Sequence, residues 1–314
     1  MFSLKISTAT LRRTTTTVLA SGLIALASPL AATTAHAAAA PAVSGAGAYL
    51  LDNAKGTKLY GKADNTRRQM ASTTKIMTAA VVLSQPKVDL NRKVTIKKEY
   101  RDYVKKEGAS TADLQIGDKV TVGQLLYGLL LPSGCDAAYA LADTYGTGST
   151  PAARTKSFIA KMNQQAKSLN LKNSGFDSFD GISGGGKNYT TPADLAQIAR
   201  YAMSKPAFRN VVKSPSYRGN AVASTGKTRT YTWYNTNQLL KSYKGAIGVK
   251  TGTGTAAGPC LVFAATRGNK TLIGVVLNGK DRYKDAAKLL DYGFGTKSAT
   301  SMKLAPLPKG AQRD

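Results

Sequence analysis

Ser72 and Lys75 stand three apart in Arg68-Gln69-Met70-Ala71-Ser72-Thr73-Thr74-Lys75-Ile76-Met77-Thr78-Ala79-Ala80-Val81-Val82-Leu83. From Ser72 no glycine or proline interrupts the run before Pro86, and Ile76, Met77, Ala80, Val81 and Leu83 are apolar, so the stretch reads as a buried helix. Residues three apart share a helix face. A hydroxyl and an amine would therefore meet where a buried helix begins, with backbone N–H groups converging on the hydroxyl. That is the arrangement of a nucleophile beside its base. The pattern Ser-x-x-Lys alone is weak, because it recurs at 84–87, across Pro86, and at 224–227, across Gly226 in a polar loop. Only the first copy heads an apolar helix. A capping serine with a solvated lysine fits the same residues, so the assignment needs partners elsewhere.

Two short motifs supply candidates. Leu131-Pro132-Ser133-Gly134-Cys135-Asp136 places Ser133 in a turn between two helices. Lys250-Thr251-Gly252-Thr253-Gly254 ends an apolar strand, and its glycine permits close backbone approach by a ligand. The order and context of the three motifs together carry more than any one of them.

The elements that must bring them together are legible in outline. Residues 48–52 and 57–60 flank Asn53-Ala54-Lys55-Gly56 and read as a β-hairpin, and 93–96 as a short extended piece. Thr121 and Gln124 form a capping box before the apolar helix that Pro132 stops. A helix over 134–145 follows; Thr150-Pro151 and Thr191-Pro192 each start a further one. Between those two starts lies a glycine-rich loop, 176–189, long enough to be functional. Apolar runs at 245–250, 261–266 and 272–277 read as an antiparallel meander, and 281–294 as a closing helix. Strands at both ends with helices between imply an α/β sheet assembled from the two termini, flanked by helices and carrying an inserted all-α lobe. The expected division is one unit over 38–314, with an α/β lobe at about 46–71 and 216–295, a helical lobe at about 72–215 and a disordered basic tail over 296–314.

The amino-terminal residues read as a secretory signal. Lys5, Arg12 and Arg13 give a basic start, 18–30 an apolar run, and Ala35-His36-Ala37 a small-x-small cleavage site, so cleavage is expected after Ala37. Arg12-Arg13 lacks the apolar residues that follow a twin-arginine pair, which favours general secretion. His36 is the only histidine and leaves with the signal. A Ser-His-Asp triad and a histidine-bearing zinc site are thereby excluded. With two cysteines and few carboxylates, neither a metal nor another cofactor is expected. Catalysis must rest on Ser, Lys, Tyr, Asp or Glu.

The formal charge is +27, of which Lys5, Arg12 and Arg13 account for three, leaving +24 after cleavage. Such a surface attracts polyanions. In an exported chain these would be anionic wall polymers or lipid head groups; a merely soluble charged surface fits equally. No basic helix with interleaved aromatics and no nucleic-acid motif is present, so nucleic acid is not an expected partner. No segment after the signal approaches the length of a membrane span. The expected location is outside the cytoplasm at the cell wall, with peripheral membrane association left open, and the expected state is a monomer.

Ser-x-x-Lys, a Ser-x-Asn-type motif and Lys-Thr-Gly are the signature of penicillin-binding proteins and class A β-lactamases. Ser72-Thr73-Thr74-Lys75-Ile76-Met77-Thr78, Phe179-Asp180-Gly181 and Thr191-Pro192-Ala193-Asp194-Leu195 narrow this. They resemble the D-alanyl-D-alanine carboxypeptidase family of low-molecular-mass penicillin-binding proteins. Ser133-Gly134-Cys135 departs from that family, where asparagine usually fills the third place, and resembles a small DD-transpeptidase member instead. The resemblance runs from the first hairpin to Phe294.

It implies a penicillin-binding/β-lactamase-like fold and acyl transfer from peptidoglycan stem peptides ending in D-Ala-D-Ala, with β-lactams as covalent inhibitors. Ser72 would be the nucleophile, Lys75 its base and Ser133 the group that hands a proton to the leaving amine. Lys250, Thr251 and Thr253 would bind the terminal carboxylate, Gly252 and Cys135 would line the site, and the N–H groups of Ser72 and Thr253 would hold the oxyanion. Asp177 and Asp180 are assigned no chemistry. The nearest rival enzyme is a serine β-lactamase, but residues 176–189 contain no glutamate of the kind that deacylates class A enzymes. A rival of another class is a non-catalytic cationic wall-binding protein.

Secretion permits a disulfide, yet Cys135 and Cys260 are expected to be free. If the strand ending at 250–255 turns and pairs with the next, Cys260 lies opposite about Thr255, about 15 Å along the sheet from Lys250 and the cleft. Bonded cysteines need Cα atoms within about 7 Å.

Overall fold

The computed structural model describes residues 39–312. The signal-peptide reading and His36 lie outside the described residues.

Five strands form an antiparallel sheet in the spatial order Lys58–Lys62, Gly47–Asp52, Lys270–Leu277, Gly258–Arg267 and Ala246–Gly254. The amino-terminal hairpin and the late meander meet where Gly47 pairs with Leu277 and Asp52 with Leu272. Successive side chains point to opposite faces of a strand, and the sequence is apolar on both. Leu50, Leu261, Phe263 and Leu272 pack with Leu289 and Leu290 of the Arg282–Phe294 helix. Leu51, Val262, Ala264, Ile273 and Val275 face the opposite way, into the core shared with the other helices. That is the mixed α/β architecture expected, with the sheet built from both ends of the chain.

The Lys75–Leu83 helix is the centre of the helical part. Lys75 to Val82 are all buried, and the helix touches those at Val122–Leu130, Cys135–Tyr145, Pro151–Ser168, Pro192–Met203 and Pro206–Val212. An apolar helix surrounded on every side is the stable solution for such a sequence. The local start signals hold: Thr121 and Gln124 make a reciprocal capping box, and Thr150 and Thr191 each accept an N–H with proline at the next residue.

Three expectations are corrected. The helix does not begin at Ser72: residues Ala71–Thr74 form a 3-10 turn, and the α-helix starts at Lys75. Residues 216–234, expected within the α/β lobe, do not join the terminal sheet: Ser216–Val222 and Thr228–Tyr234 pair with each other, and Ser216–Val222 pairs with Lys119–Thr121, itself paired with Lys93–Thr95, in a separate four-stranded sheet. The stretch after Phe294 is placed against the fold up to residue 312. Ala299 is buried with its N–H on Asp291, and Ala305 exchanges hydrogen bonds with Gln238 and Ser242. Among the described residues no helix is long and apolar enough to cross a membrane.

Candidate active site

The turn carrying Ser72 is locked by its own threonines. Thr73 donates its hydroxyl to Met70 O at 2.6 Å and Thr74 to Ala71 O at 2.8 Å, while Asn188 donates to Thr74 Oγ1 at 2.7 Å. Ala71, just before the serine, sits at φ +47, a conformation non-glycine residues seldom adopt and one that clusters at functional sites. Ser72 is half-buried and opens onto a cleft of about 570 Å³.

Lys75 is wholly buried, yet its amine has three polar neighbours. Nζ lies 2.9 Å from Ser72 Oγ, 2.9 Å from the carbonyl oxygen of Asp180 and 3.4 Å from Cys135 Sγ. A solvated lysine beside a capping serine is ruled out, since Ser72 caps no helix and Lys75 has no exposure. Asp180 is held in turn. Its carboxylate accepts from Tyr103 at 2.8 Å, from Ser178 at 2.7 Å and from Ile182 N–H at 3.0 Å. Gly181, at φ +103, brings this loop so near that a Cβ there would run into the Ala71 carbonyl. Sequence reasoning gave Asp180 no role, because the group that meets Lys75 is a backbone carbonyl, which any residue type supplies.

Ser133 occupies the turn between the Val122–Leu130 and Cys135–Tyr145 helices, at φ +65. It is fully buried, and its hydroxyl has no hydrogen-bond partner among the described residues. A buried unpaired hydroxyl costs about 1–3 kcal/mol and calls for a reason. Asp136 fixes the turn from below, accepting from Thr111 Oγ1 and from the N–H groups of Ala112 and Leu114. Burial pushes the Cys135 thiol up to about 12, with Lys75 pulling the other way, so Cys135 is a neutral thiol at ordinary pH.

The Ala246–Gly254 strand brings the third motif alongside. Lys250 is buried with Nζ 3.0 Å from Thr251 O, among other contacts. Thr251 is buried and its hydroxyl pairs with Thr236 at 2.6 Å, so it is Thr253, exposed on the strand, that lines the open cleft. Gly252 has a different reason from ligand approach. A Cβ there would lie 3.0 Å from the N atoms of both Ser72 and Thr73, so this glycine lets the strand pack on the turn that carries Ser72. Arg282, at the head of the last helix, donates to Gly252 O at 3.0 Å, Thr253 Oγ1 at 2.9 Å and Cys260 O at 3.2 Å. No local motif announces it in the sequence.

Cys135 and Cys260 are both free and buried. The register differs from the expectation, however: Cys260 pairs with Gly252, not Thr255, because the strand runs on to Gly254 before turning. The two cysteines point elsewhere all the same, Cys260 toward the Ala257 and Gly258 carbonyls and Cys135 toward Lys75.

The chain matches the family model of D-alanyl-D-alanine carboxypeptidases over residues 33–281. It is 57% identical to a D-alanyl-D-alanine carboxypeptidase of Streptomyces sp. strain K15, over 90% of this chain and 99% of that one. It is 34% identical to D-alanyl-D-alanine carboxypeptidase DacB2 of Mycobacterium tuberculosis, over 79% and 81% respectively. The crystal structure of the Streptomyces K15 DD-transpeptidase superposes with a TM-score of 0.80 at 59% identity, covering 81% of this chain and 98% of that one. A buried lysine on a serine hydroxyl is thus met by the same fold and a shared sequence, and the chain belongs to the D-alanyl-D-alanine carboxypeptidase family of serine peptidases.

Proposed function

We propose that residues 38–314 act as one catalytic unit that transfers the acyl group of a D-Ala-D-Ala-terminated stem peptide through an ester on Ser72. The observation that carries this is the 2.9 Å contact between Ser72 Oγ and an amine with no solvent exposure. As base, Lys75 turns its lone pair to the Ser72 hydroxyl and keeps two hydrogens for Asp180 O and Cys135 Sγ. Lys75 takes the hydroxyl proton as Ser72 Oγ bonds to the carbonyl carbon of the penultimate D-alanine. The N–H groups of Ser72 and Thr253 hold the oxyanion, each worth about 3 kcal/mol. As the C–N bond breaks, Ser133 delivers its proton to the leaving amine and regains one from the Lys75 ammonium, which restores the base, a relay that suits a buried hydroxyl with no hydrogen-bond partner among the described residues. Lys250 and Thr253 hold the terminal carboxylate, with Thr251 behind them and Gly252 keeping the strand against Ser72. An amine or water then takes the acyl group.

The same apparatus takes a β-lactam as a substrate that does not leave. Residues 176–189 contain no glutamate to drive deacylation, which argues for a lasting adduct and against a β-lactamase. The work is done outside the cytoplasm, at the wall, where the cationic surface suits anionic polymers. Incubation with penicillin tests the reading through the mass of the intact protein. One added penicillin on Ser72 supports it; rapid turnover with no adduct would make the chain a β-lactamase.

A further inference from the structure

Glu107 is out of place. The chain has two glutamates, and both lie on the Lys98–Glu107 helix. Glu99 sits in the first turn, where a negative charge suits the helix dipole; Glu107 is the final residue, where it does not. Lys105 and Lys106 precede it in the same turn, as the dipole prefers. A carboxylate at this end opposes the dipole by about 0.3–1 kcal/mol. Local rules broken in this way mark functional positions.

The structure gives it a place to act. Tyr103, one turn earlier on the same helix face, donates to the Asp180 carboxylate at 2.8 Å, and the Asp180 carbonyl receives Lys75. The helix is thereby anchored to the floor of the site, and Glu107 comes round to the cleft wall with Ser72, Ser110, Cys135 and Thr253. Glu107 is the one ionisable acid or base in carboxyl, ammonium or guanidinium form along that wall among the described residues. Its side chain is 29 % exposed, and its charged neighbour is Lys106, 3.3 Å away and itself 81 % exposed. An ion pair that open to water is readily exchanged for another. In a chain with so large an excess of positive charge, Glu107 is the one fixed negative charge that a cationic group meets on this cleft wall among the described residues.

We propose that Glu107 binds a non-reacting primary ammonium on the peptide substrate, in the donor strand or the acceptor strand, and so selects stem peptides that carry a free side-chain amine. This rests on the acyl-transfer reading of the same cleft. The pair is partly solvated, so its contribution is about two- to fivefold in kcat/KM and falls as salt rises.

The test compares wild type, Glu107→Gln, Glu107→Asp and, as a control on the same helix, Glu99→Gln, with rates expressed per penicillin-labelled site. The donor is an acyl-lysyl-D-Ala-D-Ala peptide with its lysine amine free or acetylated. The acceptor is a glycyl-lysine amide with the lysine side chain free or acetylated, products being separated. Wild type should prefer the free-amine form of one partner. Glu107→Gln should lose that preference, Glu107→Asp should keep part of it, and Glu99→Gln should keep it whole. Loss confined to the donor pair or to the acceptor pair identifies the strand that carries the ammonium. A preference unchanged in Glu107→Gln, or absent from wild type, overturns the proposal. So does a longer-lived penicillin adduct with unmoved preferences, which would make Glu107 a base for water. A wild-type protein that takes no label sinks the acyl-transfer reading instead, and this inference with it.

Discussion

Gly252 lies backbone to backbone against Ser72: a Cβ on Gly252 would stand 3.0 Å from Ser72 N, and as near to Thr73 N. The Ser72 turn and the strand that carries Lys250 are therefore held apart by the width of a glycine. Gly252→Ala must push them apart by a few tenths of an ångström. Misplacement on an ångström scale costs about a hundredfold in rate, whereas overpacking costs about 1–3 kcal/mol in stability. Penicillin acylation should slow about ten- to a hundredfold while the melting temperature falls only by several degrees. An acylation rate within twofold of wild type would show that the contact does not set the site.

The bond from Tyr103 to Asp180 predicts a positioning effect. Tyr103→Phe removes one of three donors from a buried carboxylate and frees the loop whose carbonyl holds Lys75. A hydrogen bond to a charged group is worth about 1.5–3 kcal/mol. The variant should lose about that much stability in chemical denaturation, and acylate several-fold more slowly. Lost stability with unchanged acylation would limit Tyr103 to a structural part.

Much of this was legible beforehand, and the exceptions have physical causes. Thr121 with Gln124, Thr150-Pro151 and Thr191-Pro192 are local devices, and local devices read directly. The Lys98–Glu107 helix buries Tyr100 and Val104, with Tyr103 half-buried against the core, too thin a stripe to stand out among its charges. The Thr228–Tyr234 strand does alternate, burying Tyr231 and Trp233, and it pairs with its neighbour Ser216–Val222, but the pairing of Ser216–Val222 with Lys119–Thr121 a hundred residues earlier is a long-range fact. Within the site, side chains at motif positions were readable. The Asp180 carbonyl, the Arg282 contacts and the packing role of Gly252 were not, because each depends on which segments come together.

Four tyrosines donate to buried or nearly buried aspartates: Tyr100 to Asp143 at 2.6 Å, Tyr103 to Asp180 at 2.8 Å, Tyr231 to Asp118 at 2.7 Å and Tyr243 to Asp291 at 2.9 Å. Burial first, and the carboxylate next, raise each phenol above its ordinary value of 10.0. A group whose folded value is raised stays protonated while the unfolded chain releases its proton. Its stabilisation is complete below about pH 10 and is lost as pH rises further. Denaturant midpoints should therefore fall steadily above pH 10, and part of the tyrosinate absorbance should appear only on unfolding. Complete ionisation of every tyrosine near pH 10 in the folded protein would contradict the four pairs.

Burial pushes Cys135 up to about 12 and Cys260 up to about 11. The thiolate is the reactive form, so both should resist alkylation at pH 8 in the folded protein. Unfolding without reductant should expose two titratable thiols per chain. Finding none would mean a disulfide joins them, against the placement of both residues. Cys135→Asn replaces a weak donor beside Lys75 with an amide able to donate and accept. It should fold normally and change the ratio of hydrolysis to transfer more than the rate of acylation.

The central claim is that Ser72 is the nucleophile and Lys75 its base. Intact-mass measurement after penicillin treatment should show one adduct on the wild-type protein, located by peptide mapping at Ser72. Ser72→Ala should take no adduct, and Lys75→Ala should acylate slower by several orders of magnitude while retaining the far-ultraviolet spectrum of the folded chain. An adduct that persists in Ser72→Ala, or a Lys75→Ala rate close to wild type, would contradict the account.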